Sequence, residues 1–297
     1  MKPLPSPQQL RYLVALADLG HFGRAAKACG VTQSTLSAGI LALERQLDAA
    51  ILDRAAGKHL VLTALGEEIV ARARAALAAL SALAEAASTA RAPLSGPLRL
   101  GVIPTVGPFL LPRLMPALRA AFPNLRLFVR EDVTDALLDR LAANRLDLLL
   151  LALPCGGPDV ETLAIARDEF LVALPRGHRL AARARVPAAA LAGERMLLLE
   201  DGHCLRDQAL SVCGVAAEGE GFAATSLHTL AQMVAGGLGV TLLPRMAVDA
   251  GVAAGTEIEL RALTGSSAWR TLGFAWRARS PRAEEYRALA PLVAPSA

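Results

Sequence analysis

The sequence predicts an α/β protein with an all-α winged helix-turn-helix head, and three observations point there. Within the first sixty residues, short apolar stripes at helical spacing flank a Gly30-Val31 turn. Residues 63–90 form an Ala/Leu-rich run with strong helix propensity. From Pro97 onward, strand-like apolar runs alternate with helical ones, the pattern of an α/β domain with a largely parallel sheet.

Composition sets the outer bounds. The 297 residues are 54% hydrophobic, which fits folded domains rather than disorder and leaves room for two or three cores. No apolar run approaches the roughly 18 residues of a membrane span. The start, MKPLPSPQQLRYLVAL, lacks a signal-peptide cleavage pattern. A cytoplasmic protein with no membrane association is expected. Four cysteines in a chain of this length do not make a disulfide framework. In a reducing compartment they serve as core residues, metal ligands or redox groups. Net charge is +4, and residues 1–60 carry seven Lys/Arg against four Asp/Glu, so +3 of it lies there. That bias favours a polyanionic partner.

In the head, Leu10, Leu13, Val14 and Ala17 share one face of a first helix, which Gly20 ends. A short helix over Gly23–Cys29 follows, then the turn, then a second helix from Gln33 with Thr32 as N-cap. Leu36, Ile40, Leu43 and Leu47 form its apolar stripe, and Ala25-Ala26 permit close helix crossing. Gln33, Ser34, Thr35 and Ser37 lie off the stripe, where small polar side chains suit a major groove. A generic three-helix bundle would show similar spacing. Arg54 and Lys58 precede the strand-like HLVLT, a basic wing for phosphates. The candidate DNA contacts are therefore Thr32, Gln33, Ser34, Thr35, Ser37, Arg54 and Lys58. Cys29, beside the turn, reads as a small core residue.

The run FGRAAKACGVTQSTLSAGILALERQL, followed by ILDRAAGKHLVLTALGEE, resembles the LysR-type transcriptional regulators. The resemblance implies a head that binds double-stranded promoter DNA and acts through RNA polymerase. Members of that family often carry a polar or basic residue after the recognition-helix Ser, whereas this chain has Ala38-Gly39. Base readout then rests more on Gln33, Ser34, Thr35 and phosphate contacts.

Thr63 can cap the long helix, with Glu67 and Glu68 near its positive end. Ile69, Ala73, Ala76, Leu80, Leu83 and Ala87 repeat at heptad spacing. Two readings stand: a helix packed on its own domain, or, as the family implies, a dimerising linker. Pro93, Gly96 and Pro97 break it. The expected division is a head over 1–62, a linker over 63–92 and an effector half over 93–297.

In that half, LRLGVIP, LRLFVRE, LDLLLLALP, EFLVALP, RMLLLED and GVTLLP read as buried strands. LLPRLMPALRAAF, TDALLDRLAAN and SLHTLAQMVAGG read as helices. The length suits two lobes, about 93–165 with 268–297, and 166–267, with TLGFAWRA returning to the first. The whole looks like the two-lobed, periplasmic-binding-protein-like effector domain of LysR regulators. Ligands in such folds lie at strand C-termini near helix N-termini, where Thr105 and Thr134 fall. Either can also be a plain N-cap.

The segment EDGHCLRDQALSVCG holds Cys204 and Cys213 nine positions apart in a probable helix capped by Asp201 or Gly202. A thiol in the first turn meets the positive end of the helix dipole, and His203 and Arg206 add positive potential while Asp207 opposes it. A lowered thiol pKa is expected for Cys204, and an inert thiol for Cys213. Nine helical residues rise about 13.5 Å and end half a turn out of phase, whereas a disulfide needs Cα atoms within about 7 Å. If helix runs through both, they cannot bond without refolding. Core thiols are one reading of the pair. A metal site from Cys204, Cys213, His203 and His228 fits zinc spacings poorly. Cys155, in LALPCGGPD, has no activating neighbour in sequence.

EDGHCLRDQAL with a second Cys nine residues after the first, GVIPTVGPFLLP and ATSLHTLAQMVAGGLGVTLLP resemble the peroxide-sensing, OxyR-type branch of the LysR family. The resemblance covers nearly the whole chain. It implies Cys204 as peroxidatic thiol, Cys213 as resolving thiol, and Thr105, Thr134, His203, Arg206 and Asp207 as their support. It also implies a homodimer or homotetramer, hydrogen peroxide as signal, and a thiol-disulfide reductant for reset. No cofactor or metal is expected, and no enzyme. The rivals are a LysR regulator that answers to a small metabolite in the interlobe cleft, and a thiol peroxidase fused to a helix-turn-helix.

Overall fold

The computed structural model describes residues 4–53, 61–89, 94–213, 223–264 and 268–293, without side chains at 82 and 84–89. It divides into two compact units, Met1–Ala87 and Ser88–Ala297.

The first unit opens with α1 (Pro7–Leu19), α2 (Phe22–Cys29) and α3 (Gln33–Leu47). A capping box between Ser6 and Gln9 starts α1, and the His21 ring nitrogen Nδ1 accepts from the Gly23 amide to start α2. Gly30 ends α2 at φ 70°, a left-handed conformation that suits glycine. Thr32 caps α3 by accepting from the Thr35 amide. The α3 stripe is core, with Leu36, Ile40 and Leu43 buried and Leu47 half-buried; on α1 the core takes Leu13 and Leu16, while Leu10, Val14 and Ala17 of the expected face are half-buried, and Ala25 and Ala26 lie at the helix crossing. Gly39 answers the question raised by Ala38-Gly39. A Cβ there would lie 2.7 Å from the Tyr12 ring, so the small residue serves the packing of α3 on α1.

Next come β1 (Leu52–Asp53) and β2 (Val61–Leu62), an antiparallel pair, and then α4 (Ala64–Thr89). Arg54 and Lys58 lie outside the described residues. Thr63 caps α4 through the Gly66 amide. The heptad seam divides. Ala73 and Val70 are buried in the head core with Ile69 packed on it, so this part of the helix packs on its own unit. Leu80 and Leu83 are exposed.

The second unit runs β3 (Gly96–Val102), α5 (Gly107–Ala121), β4 (Leu125–Glu131), α6 (Thr134–Ala142), β5 (Leu148–Leu153) and β6 (Val160–Pro175). It continues with β7 (Arg185–Pro187), β8 (Leu198–Leu199), α7 (Cys204–Cys213), β9 (Ala223–Ala224), α8 (Leu227–Ala235) and β10 (Thr241–Pro244). It closes with α9 (Arg245–Asp249), β11 (Ile258–Thr264), β12 (Trp269–Arg277) and α10 (Ala283–Val293). The main sheet has the order β4-β3-β5-β12-β6-β11-β7, with β10 also on β6. One core gathers around β3, β5, β12 and α10, and a second around β6, β10, α7 and α8. The sixteen-residue β6 belongs to both halves.

Three expectations need correction. The sheet is parallel only over β4-β3-β5 and between β11 and β7; β12, β6, β11 and β10 pair antiparallel. LRLFVRE is not buried, because β4 is the edge strand and leaves Phe128 and Val129 exposed. RMLLLED gives only the two-residue β8, paired with the equally short β9, and an isolated bridge from Met196 to Val240.

The β12–β6 register shifts by one residue at Leu272/Gly273. A Cβ on Gly273 would lie 2.6 Å from the Leu163 carbonyl oxygen and 2.4 Å from Leu153 Cδ1. Gly273→Ala is therefore expected to destabilise the effector half by about 1–3 kcal/mol, read from a denaturant melt.

Candidate functional site

Parallel strands deliver their C-terminal ends to one edge of the sheet, and the candidate site lies there. The turn after β3 supplies Ile103, Pro104 and Thr105, the start of α6 supplies Val133 and Thr134, and the start of α7 supplies Gly202, His203 and Cys204. Together these line one narrow crevice. Gly202, at φ 89°, turns the chain into α7 and sets Cys204 as its first helical residue.

Below the crevice lies a buried ion pair. Arg270 of β12 and Asp168 of β6 face each other across the strand pair. The Arg270 Nε donates to Asp168 Oδ2 at 3.0 Å, and both residues are buried. The guanidinium also donates to the Thr105 hydroxyl at 2.9 Å and to the Thr105 carbonyl at 3.1 Å. The second Asp168 oxygen accepts from the Met246 amide at 3.0 Å. Thr105 is thus a buried anchor for Arg270 at the crevice wall. Thr134 is no N-cap, since α6 starts at Thr134 itself with Val133 before it. Its hydroxyl oxygen is buried and has no partner in hydrogen-bond geometry among the described residues.

The electrostatics differ from the sequence expectation. The Cys204 thiol is pushed up, not down, because burial outweighs every stabilising influence. The favourable ones are the Arg270 charge, the Thr134 hydroxyl dipole and the Leu205 amide, and Asp207 opposes them. His203 is lowered by its own burial against the pull of Glu200, so it stays neutral near pH 7 and adds no positive charge. Arg206 turns elsewhere: it pairs with Asp201 at 2.8 Å and donates to the Leu199 carbonyl. Asp207 is exposed on α7.

Cys213 points into the second core with Leu205 and Ala209, and burial pushes its thiol up to about 11. The helix is continuous from Cys204 to Cys213, so the pair is separated by about 13.5 Å of helical rise. His228 stacks on Phe109 with ring centroids 5.3 Å apart, a ring contact rather than a ligand position. In the head, Thr32, Gln33, Ser34 and Thr35 are exposed at the start of α3 and Ser37 is half-buried one turn on.

Comparison with known proteins bears on both units. Residues 7–67 match the bacterial regulatory helix-turn-helix protein, lysR family, and residues 91–295 the LysR substrate binding domain. A probable hydrogen peroxide-inducible genes activator of Streptomyces viridosporus is 45% identical, over 96% of this chain and 92% of that one. A full-length OxyR variant of Pseudomonas aeruginosa superposes with a TM-score of 0.81 at 37% identity, covering 98% of this chain and 95% of that one. A cysteine variant of Corynebacterium glutamicum OxyR, solved with hydrogen peroxide bound, gives a TM-score of 0.66 at 30% identity, over 99% and 92% of the two chains. The chain belongs to the OxyR-type branch of the LysR family.

Sequence reasoning about this LysR-family chain missed Arg270 and Asp168. They stand 102 positions apart, and Arg270 lies 165 from Thr105. No local signal marked them: β12 carries Arg277 as well, and Asp168 is one of four charged residues on β6.

Two measurements test the site. Arg270→Met leaves Asp168 buried without its partner, and a loss of about 3–5 kcal/mol is expected in a denaturant melt, with much of it recovered in Arg270→Met/Asp168→Leu. Because Cys204 is raised, its thiolate grows only at alkaline pH. Iodoacetamide labelling of the Cys204 peptide is expected to keep accelerating beyond pH ~8.5, the ordinary thiol midpoint; a plateau already reached at neutral pH would contradict this.

Proposed function

We propose that this chain is a cytoplasmic transcriptional regulator that senses hydrogen peroxide through Cys204. It binds double-stranded promoter DNA through the start of α3, with Gln33, Ser34 and Thr35 toward the bases and Thr32, Ser37, Arg54 and Lys58 in support. The observation that carries the reading is the setting of Cys204. A thiol at the first turn of a helix lies in a narrow crevice beside the buried Thr134 hydroxyl, above a buried guanidinium. The names of the relatives point the same way.

In this reading the Cys204 sulfur attacks one peroxide oxygen. The O–O bond breaks, water leaves, and Cys204 becomes a sulfenic acid. Thr134 holds the peroxide, Arg270 and Thr105 stabilise charge at the sulfur, and His203 offers a neutral ring at the crevice wall. Asp207 opposes that charge from α7, and Arg206, paired with Asp201, holds the turn into α7. Cys213 then attacks the oxidised sulfur and the hydroxyl leaves as water. Because α7 is helical through both thiols, that bond requires α7 to unwind. The repacked segment shifts contacts between effector halves, which we take to divide near Ala166 and Ala268. This re-spaces the heads of a homodimer or homotetramer and alters access of RNA polymerase. A thiol-disulfide reductant resets the bond. One peroxide is consumed per switch, so the chain is a sensor and not an enzyme.

A second reading keeps one observation. A cavity of about 730 Å³ lies between α5 and α9, with Arg113, Arg167 and Arg245 alongside Asp168, Glu169 and Asp249 on its wall, and a small metabolite there would be the signal instead.

The readings part on one substitution. Cys204→Ser is expected to abolish peroxide induction of a reporter while leaving promoter binding by the reduced protein intact. In wild type, a near-stoichiometric peroxide pulse should yield a Cys204–Cys213 linked peptide together with a changed DNA footprint. Induction that survives Cys204→Ser would favour the metabolite.

A further inference from the structure

The proposed switch leaves one thiol beside the crevice without a role. Cys155 sits in the loop between β5 and β6, just past the C-terminal end of β5. That strand runs parallel to β3, with Leu150 opposite Val102, and the Ile103 amide donates to the Leu150 carbonyl at 3.3 Å. The two strands therefore bring Cys155 and the crevice-lining Ile103–Thr105 turn to the same end of the sheet. Cys204 is carried by α7, whose apolar face packs into the second core. Its own side chain nevertheless packs against the first core, and Cys155 packs against that same core. Both thiols are free and half-buried.

We propose that Cys155 is a second resolving thiol, able to capture oxidised Cys204 in a disulfide that leaves α7 folded. This rests on the reading of Cys204 as the peroxide-reactive sulfur. Peroxide first oxidises Cys204 to a sulfenic acid and releases water. The Cys155 sulfur then attacks the Cys204 sulfur. The S–S bond forms, the S–O bond breaks, and the departing hydroxide leaves as water with the Cys155 proton. Two thiols have lost two electrons, and one peroxide has become two waters.

Acidity does not separate the two candidates. Burial raises both Cys155 and Cys213 to about 11, and for Cys155 the neighbouring Cys204 charge adds to it. At neutral pH both are protonated, so the choice falls to reach. Cys213 can approach only after about 13.5 Å of helix has been undone. Cys155 lies in a loop where Pro154, Gly156, Gly157 and Pro158 are exposed, so it can move without undoing a helix. A bond to Cys155 would fasten the first turn of α7 to the first core. The product is oxidised yet holds the reduced fold, so Cys155 acts as a brake on the switch.

The test uses the full-length chain with Cys213→Ser, and Cys213→Ala as a second variant if the buried serine unfolds the protein. Three thiols remain, four less one. After one equivalent of hydrogen peroxide, free thiols are expected to fall from three to one. Non-reducing peptide mapping should find Cys155 linked to Cys204 within one chain, and the reduced-state footprint should persist. Adding Cys155→Ser should convert the product to a dimedone-reactive Cys204. A sulfenic or more oxidised Cys204 in the single variant, beside a Cys155 that still alkylates, overturns this inference and leaves the sensing reading standing. A Cys204 bonded between two chains overturns it as well. A Cys204 that peroxide leaves untouched in wild type removes both.

Discussion

A guanidinium without water around it dictates much of the effector half. Arg270 is held by the Asp168 carboxylate and by two oxygens of Thr105. A buried charge is tolerated only when its hydrogen bonds are met by fixed partners. Three segments far apart in sequence are therefore pinned to one another: the end of β3, the middle of β6 and the start of β12. Met246 extends the set to α9 through its amide. The positive charge also lies under Cys204, where it works against the cost of burying a thiolate. Structure and reactivity thus share one side chain.

The reduced fold protects its thiol more than it activates it. Burial dominates at Cys204, and the helix start, Thr134 and Arg270 soften that penalty without reversing it. A thiol of this kind is quiet toward bulky electrophiles. The crevice beside it is too narrow to hold even a water-sized molecule without some movement of its walls.

Much of this was legible from residues alone, and what escaped has identifiable causes. The head followed from apolar spacing and caps, because helices are written in local sequence: Thr32 and the Leu36–Leu43 stripe appear as expected. The α7 boundaries, and with them the separation of Cys204 from Cys213, were equally local. Sheet order was not. Antiparallel β12, β10 and the EFLVALP stretch of β6 read like parallel strands, since burial on both faces erases the alternation that would tell them apart, while the half-exposed β11 gave no strand signal at all. The edge position of β4 escaped for the opposite reason, as Leu127, Phe128 and Val129 look buried until the missing neighbour is known. The sign of the Cys204 shift depended on desolvation, which no window of sequence reports. Arg270 was invisible because its meaning lies in partners more than a hundred residues away.

The long strand β6 adds a mechanical consequence. Sixteen residues run through both halves as one strand with a single irregularity near Ile165, paired with β5's neighbour β12 on one stretch and with β10 and β11 on the other. A strand shared in this way ties the two halves together by backbone hydrogen bonds on both of its edges. Any signal that crosses between them is better carried by melting and rebuilding a small surface element than by bending the spine.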